Sequence, residues 1–517
     1  MDGISLLQAL RFIFIPAYLF GLGYLVSKFL LKRGDFTSSV FLSLSIWSVI
    51  GWFSFGYLEY ITWILTLIGF LGLFIGIKDL IQDKENLLGF LSAIFLRFLA
   101  VLPLTFPYGN DTIMHTYTTY TIVKHGGFFP NFEPFGFGGM GSFNLGFHFI
   151  SATLSYITGL SALNSVILAG YIFWGTYFLA INTFIKDWKI SLVIAFITLG
   201  PSTFMAWGGF PTLASVSFSI YAFSLSGTLS LPFWMAAFST HFIPASVAFL
   251  SYLISRRKDI NRTFLFGLLI FAAILSPQYF AILGQNSSLE PYENNTLNIF
   301  VKDTFIKPLI FNFVYLLLAF IGYKKFDGLK EKLPPWVILL PIVFGVLSYL
   351  WAIFDLRPHH IKSFYMVRMF VPIIIPAFFG LKWVIQRFKV LYIPIFLVGL
   401  AFVYKAHAGY KKDPNIWSYV STFKADTLWA YVMYGTEESF LPAFGTPAYY
   451  SHYIITHLHD VRVFASKRKF GYVFLRDKER NKRVLEVVKK DGILIRDFGK
   501  LKVYKLKKPV MGSSLIQ

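Results

Sequence analysis

The sequence predicts an all-α polytopic transmembrane bundle of about 12 helices, closed by a soluble C-terminal α/β domain. Three observations predict it. Of 517 residues, 56% are hydrophobic and 14% charged, against roughly 25% charged in a soluble globular chain. The apolar residues fall in uninterrupted runs of about 20, the length that crosses a hydrocarbon core, and a bilayer without water forces such runs into helix. After residue 404 the runs stop, and charged residues with short alternating segments take over.

The runs cover about Leu7–Leu31, Val40–Tyr57, Ile61–Ile77, Leu87–Phe106, Leu163–Ile185, Ile190–Trp207, Leu213–Ile254, Phe264–Leu283, Ile306–Tyr323, Trp336–Phe354, Val367–Leu381 and Leu391–Tyr404. The first is too long for a removable signal peptide and lacks a small-residue cleavage site, so it reads as a retained span. Basic clusters at Lys28/Lys32/Arg33, Lys186/Lys189, Arg256/Arg257/Lys258/Arg262, Lys324/Lys325/Lys330/Lys332 and Lys382/Arg387/Lys389 belong inside by the positive-inside bias. That places the amino terminus, the loops 107–161, 284–305 and 355–366, and the C-terminal domain outside the cytoplasm. Leu213–Ile254 is long enough for two crossings where the charges ask for an odd number. One crossing plus a re-entrant piece around Phe210–Ser230 reconciles the two.

Residues 1–404 therefore form the membrane domain and residues 405–517 the soluble one. In the latter, Val461–Ala465 and Tyr472–Leu475 read as strands, Asp477–Lys490 as an amphipathic helix, and Ile493–Ile495 with Leu501–Leu506 as a closing hairpin. Gly512–Gln517 reads as extraneous to that domain. The formal charge of +21 does not indicate nucleic acid. Cytoplasmic loops account for part of it, and the 21 Lys/Arg against 10 Asp/Glu in residues 405–517 for +11. No basic patch interleaved with aromatics suggests base stacking. Cysteine is absent, which excludes disulfides and thiolate metal sites.

The loop after the fourth run, PYGNDTIMHTYTTYTIVKHGGFFPNFEPFGFGGMGSFNLGFHF at 107–149, is long, aromatic and glycine-rich, a combination expected of a functional segment. Asp111 and His115 are four apart, so a helix starting at Asp111 carries both on one face. An N-cap accounts for Asp111 equally well. The helix should be amphipathic and lie along the membrane surface, with Ile113, Tyr117, Tyr120 and Val123 on one stripe. His125, Glu133, Asn144 and His148 follow in the same loop. Polar groups gathered at one apolar boundary mark function.

A large outer loop with D-x-x-x-H (Asp111, His115), then GGFFPNFEPF, then a Gly-x-His helix start (Gly146, His148) resembles the GT-C class of polytopic glycosyltransferases. So does FYMVRMFVPIIIPAFFGL at 364–381, an Arg-bearing, proline-interrupted late helix, and so does the soluble tail. The resemblance implies a GT-C-like fold and a hexosyl- or pentosyltransferase in the cell membrane, working on the cell envelope. Its donor would be a sugar on a polyprenyl or dolichyl phosphate, and its acceptor a glycan, lipid or protein. Chemically, such transfer needs a carboxylate to take the acceptor proton, for which Asp111 is the candidate with His115 beside it, and cations for the departing phosphate. Arg368, in the outer part of a span, offers the phosphate a bidentate fork; Arg357, His359, His360 and Lys362 complete the cradle. Glu133, His148, Gln278, Glu290 and Glu293 belong to the acceptor cavity.

A divalent Mg or Mn ion is an option, with Asp111, Glu133, Glu290 and Glu293 as oxygen ligands. The loop has no D-x-D pair, and WAYVMYG at 429–435 lacks the aspartate of the W-W-D-Y-G signature of oligosaccharyltransferases. Both argue for transfer of a single sugar. The rival reading is a transporter or flippase of a lipid-linked sugar or small solute, with TFMAWGGFP at 203–211 as its broken helix. A non-catalytic polymerase or ligase scaffold is a third.

Overall fold

The computed structural model describes residues 6–32, 34–109, 111–128, 144–198, 201–283, 307–340, 343, 371–425, 427–433, 436–451, 465–477, 479 and 481–516. In chain order the helices used below are α1 (Leu6–Phe29), α2 (Phe36–Ile50), α3 (Leu58–Gln82) and α4 (Lys84–Val101). Next come α5 (Asp111–His125), α6 (Gly146–Thr158), α7 (Ala162–Ile185), α8 (Trp188–Ile197), α9 (Pro201–Trp207) and α10 (Phe210–Phe223). Then follow α11 (Leu231–Thr240), α12 (Phe242–Ser255), α13 (Arg262–Leu283), α14 (Lys307–Lys325), α15 (Val371–Arg387) and α16 (Tyr392–Ala408).

The chain is an integral membrane protein, but its helices are not 12 equal spans. Among the described residues four are long and apolar enough to cross: α1, α3, α7 and Lys389–Ala408, with a fifth if α8 and α9, which meet at 52°, count as one. The difference lies in backbone breaks that hydropathy does not register. Val40–Tyr57 stays helical only to Ile50, because Phe55 (φ 44°) and Gly56 (φ 93°) turn the chain back. Leu213–Ile254 divides into α10, a 3₁₀ turn at Gly227–Ser230, α11 and α12. At 1.5 Å per residue, helices of 10 to 15 residues reach about 22 Å at most, short of a hydrocarbon core of about 30 Å. Most of the run 336–354 and the start of 367–381 lie outside the described residues.

The exposed face of α3 carries Leu67, Leu71 and Phe74 (78% exposed), a lipid-facing composition. Its inner face carries small residues. A Cβ on Gly21 would stand 1.8 Å from the Gly69 carbonyl oxygen, so α1 and α3 touch backbone to backbone, as membrane helices do at glycines. Inside, Tyr18 stacks on Trp47 at 4.6 Å and Phe41 on Tyr221 at 4.2 Å.

Beyond α16 a short helix α17 (Pro414–Thr422) leads into a mixed five-stranded sheet of order β2-β1-β3-β5-β4. The strands are β1 (Trp429–Met433), β2 (Ala448–Ser451), β3 (Lys469–Arg476), β4 (Gly492–Asp497) and β5 (Leu501–Met511). β1 runs parallel to β2 and β3, while β5 pairs antiparallel with β3 and β4. The β4–β5 turn closes where Asp497 Oδ1 accepts from the Gly499 N–H at 2.7 Å, with Gly499 at φ 75°. Helix α18 (Lys482–Asp491) is capped by Asn481, whose side chain accepts from the Arg483 and Val484 N–H groups. Gly512–Ile516 is not extraneous: Leu515 and Ile516 are buried, and the Leu515 carbonyl accepts from Asn481. Of the strand expected at Val461–Ala465, residues 461–464 lie outside the described ones, and Ala465 is helical.

Candidate active site

Helix α5 begins at Asp111 because the segment before it is held on three sides. The Lys412 N–H donates to the Thr105 carbonyl at 2.8 Å, and the Gly109 N–H to the Ala206 carbonyl at 2.7 Å. His407 Nδ1 lies 2.7 Å from the Pro107 carbonyl oxygen. Phe106, between these contacts, stacks on Trp417 of the C-terminal domain at 4.0 Å. Gly109 passes so close to Trp207 that a Cβ there would meet its backbone at 2.6 Å. The ends of α9 and α16 and the soluble domain thus fix where the Asp111 helix starts.

Contrary to expectation, α5 is not a surface helix. Thr112 through Thr119 and Thr121 and Ile122 are all buried, while Tyr120 is exposed. The helix is inserted among α6, α7 and the 3₁₀ segment Glu437–Phe444, so a polar stripe that looked solvated faces protein instead. Asp111 is half-buried at its mouth.

One turn into α5, His115 Nδ1 stands 3.0 Å from His148 Nε2. The Gly-x-His start is therefore the start of a helix, α6, and His148 points at His115. Gly146 is required there: a Cβ would fall 2.3 Å from Ser239 Oγ. Both rings are buried, on helices outside the candidate spans. Burial holds His115 well below the ordinary imidazole range, His148 and His241 push the same way, and the Gly208 backbone opposes them. Burial takes His148 down to about 3. Both rings are neutral at physiological pH, one presenting N–H and the other a lone pair.

Gly208 joins this group from α9's end. It has φ 97°, and a Cβ would lie 2.6 Å from the Thr112 nitrogen and 2.9 Å from Asp111 Cβ. His241 is the residue sequence reading missed. It sits in extended conformation between α11 and α12, where Ser215 donates to its carbonyl. The available signal was a lone histidine inside the apolar stretch 213–254.

The structure thus brings Asp111, His115 and His148 into one locality. Glu133, Glu290, Glu293, Arg357, His359, His360, Lys362 and Arg368 lie outside the described residues, and Gln278 falls in the last turns of α13. Among the described residues no group of three or more His, Asp or Glu side chains is arranged to hold a metal ion.

Below the site, the C-terminal domain is locked by charge. Arg476 donates to Glu437 and Glu438, Nη2 lying 2.6 Å from an oxygen of each. Glu438 is wholly buried. Burial tends to raise the Glu437 carboxyl, but the Asp413 N–H and the Arg476 guanidinium outweigh it and hold the group below its ordinary value. Lys412, also buried, is pushed down by desolvation against the pull of the same two carboxylates.

No family model and no curated protein matches the chain. Among solved structures it is similar to the single-particle cryo-EM structure of the arabinofuranosyltransferase AftD from Mycobacteria, at 11% identity and a TM-score of 0.45 over 82% of this chain. The chain spans 40% of that structure's length, and a likeness this loose decides neither activity nor site.

Proposed function

We propose that the chain is a GT-C-type membrane glycosyltransferase that moves a hexosyl or pentosyl group from a polyprenyl- or dolichyl-phosphate carrier to an acceptor outside the cytoplasm. The observation that carries this reading is the helix start at Asp111. A half-buried carboxylate heads a buried helix, one turn from a neutral His115–His148 pair, on a backbone held from three sides. In the reaction, the Asp111 carboxylate takes the proton of the acceptor hydroxyl as its oxygen bonds to the sugar's anomeric carbon. The bond from that carbon to the carrier phosphate breaks with its electron pair on the phosphate oxygen. Single displacement inverts the anomeric centre. His115 orients or relays at that carboxylate; Arg368, Arg357, Lys362, His359 and His360 serve the phosphate. Glu133, His148, Gln278, Glu290 and Glu293 line the acceptor side, and a divalent Mg or Mn ion is optional. The site and the soluble domain face the outside.

The 52° break between α8 and α9 supports a second reading, a flippase of a lipid-linked sugar. One experiment separates the two. Protein in nanodiscs is given radiolabelled polyprenyl-phosphate sugars, and label is followed from carrier to product for wild type and Asp111→Asn. Transfer by wild type that drops about 100-fold or more in Asp111→Asn, with donor still bound, is expected. Equal turnover in both removes Asp111 from the mechanism. No turnover, together with lipid translocation in vesicles, selects the flippase.

A further inference from the structure

Arg97 occupies a place where an arginine is costly. It sits one turn before the end of α4, the end that leads into the Asp111 loop, on the buried stripe Gly89, Ala93, Arg97, Val101. None of its surface is exposed. A guanidinium inside an apolar bundle needs strong partners, yet no carboxylate among the described residues pairs with it. Nη2 donates to the Ser202 carbonyl at 2.8 Å and meets His407 Nε2 at 3.1 Å. The planar group lies 4.1 Å from the centroid of the Trp174 ring. Among the described residues its Nε and Nη1 have no partner, which leaves three of a guanidinium's five N–H groups unused there.

The surroundings tie Arg97 to the Asp111 loop. Because His407 Nε2 accepts from Arg97, its Nδ1 carries the proton and donates to the Pro107 carbonyl. The ring is neutral, and it links the guanidinium to the chain four residues before Asp111. The Tyr108 ring packs edge-on against His407 at 5.4 Å. Its hydroxyl lies 3.0 Å from that of Tyr171, both within electrostatic range of Arg97. One of two bonded hydroxyls always keeps a proton to give.

We infer that the unpaired N–H groups of Arg97, with the Tyr108–Tyr171 hydroxyl pair, receive a phosphate-type anion at the base of the Asp111 loop, either a lipid phosphate headgroup or free phosphate. The inference rests on the transferase reading for the link to turnover but not for binding. Arginine is matched to this chemistry by its planar donors. If Arg97 instead only staples α4 to α9 and α16, its loss affects stability and leaves anion binding alone.

The test measures binding of a fluorescent polyprenyl monophosphate to the full chain in nanodiscs, with inorganic phosphate as competitor and melting temperature as control. Arg97→Gln should weaken binding about 10- to 100-fold, with Arg97→Lys between it and wild type. Tyr171→Phe, which keeps the ring, should weaken it about threefold or more; it covers the case in which Arg97→Gln does not fold. Competition by millimolar phosphate identifies free phosphate as the ligand, and Arg97-dependent lipid binding without competition identifies the headgroup. Absence of lipid or phosphate binding by wild type overturns the inference. So does a folded Arg97→Gln that binds normally, or an unfolded one beside a Tyr171→Phe that binds normally. Sugar transfer without Arg97-dependent binding leaves the transferase standing and removes this site; Arg97-dependent binding without transfer does the reverse.

Discussion

His115 Nδ1 and His148 Nε2, 33 residues apart in sequence and 3.0 Å apart in space, tie the helix that begins with Asp111 to the helix that follows it. The bond exists only while at least one ring is unprotonated, and burial keeps both that way. Both folded-state values lie below the ordinary 6.5, so the neutral rings favour the fold above about pH 6.5 and lose that contribution as pH falls. Below pH 6.5 the unfolded chain takes up protons that the buried rings refuse, so stability falls with pH. The melting temperature of the solubilised protein should fall between pH 7.5 and 5, and more steeply for wild type than for His148→Asn. Parallel curves for the two proteins count against this account.

Gly208 is held at φ 97° against Asp111 and Thr112. Alanine there brings a strained backbone and a Cβ that forces the start of α5 outward. A shift of about 1 Å at a reacting group costs about 100-fold in rate. Gly208→Ala should therefore reduce sugar transfer by about that factor with a far smaller loss of thermal stability. Transfer at the wild-type rate would show that the position of Asp111 is immaterial.

Arg476 pairs with two carboxylates at once, and Glu438 is wholly buried. Arg476→Met should destabilise the soluble domain by about 3–5 kcal/mol, because it leaves buried charge unpaired. Glu437, held below its ordinary 4.5, contributes fully above that pH and progressively less as acid protonates it. Limited proteolysis across pH 3–7 reads both effects. A variant as protease-resistant as wild type at pH 7 contradicts the assignment.

With no cysteine in the chain, single-cysteine variants report topology without background. Lys186→Cys and Arg257→Cys, both exposed, should react with a membrane-impermeant maleimide only after permeabilisation. Ser418→Cys, exposed on α17, should react in intact cells. Labelling of all three from one side refutes the sidedness derived from the basic loops.

Local patterns made part of this architecture legible. Long apolar runs identified α1, α3, α7 and α16, since a lipid-facing helix needs apolar residues all round. Alternation and turn chemistry marked β3, α18 and the β4–β5 hairpin. β1 was not read as a strand because WAYVM is buried almost throughout and so shows no alternation. Spacing alone grouped Asp111 with His115, which lie within one helical turn, whereas Gly146 and His148 were marked by the resemblance to the GT-C class.

What the sequence by itself determined is therefore the membrane class, the change to a C-terminal sheet and the local helix start that carries Asp111 and His115. Only the tertiary structure decided that apolar runs break at Phe55–Gly56 and His241, that α5 is buried, and that Arg97 meets His407 across 310 residues. The physical reason is range. Helix periodicity and turn preference act between residues a few positions apart and leave their mark in the string, whereas packing joins distant segments whose partners no local pattern names.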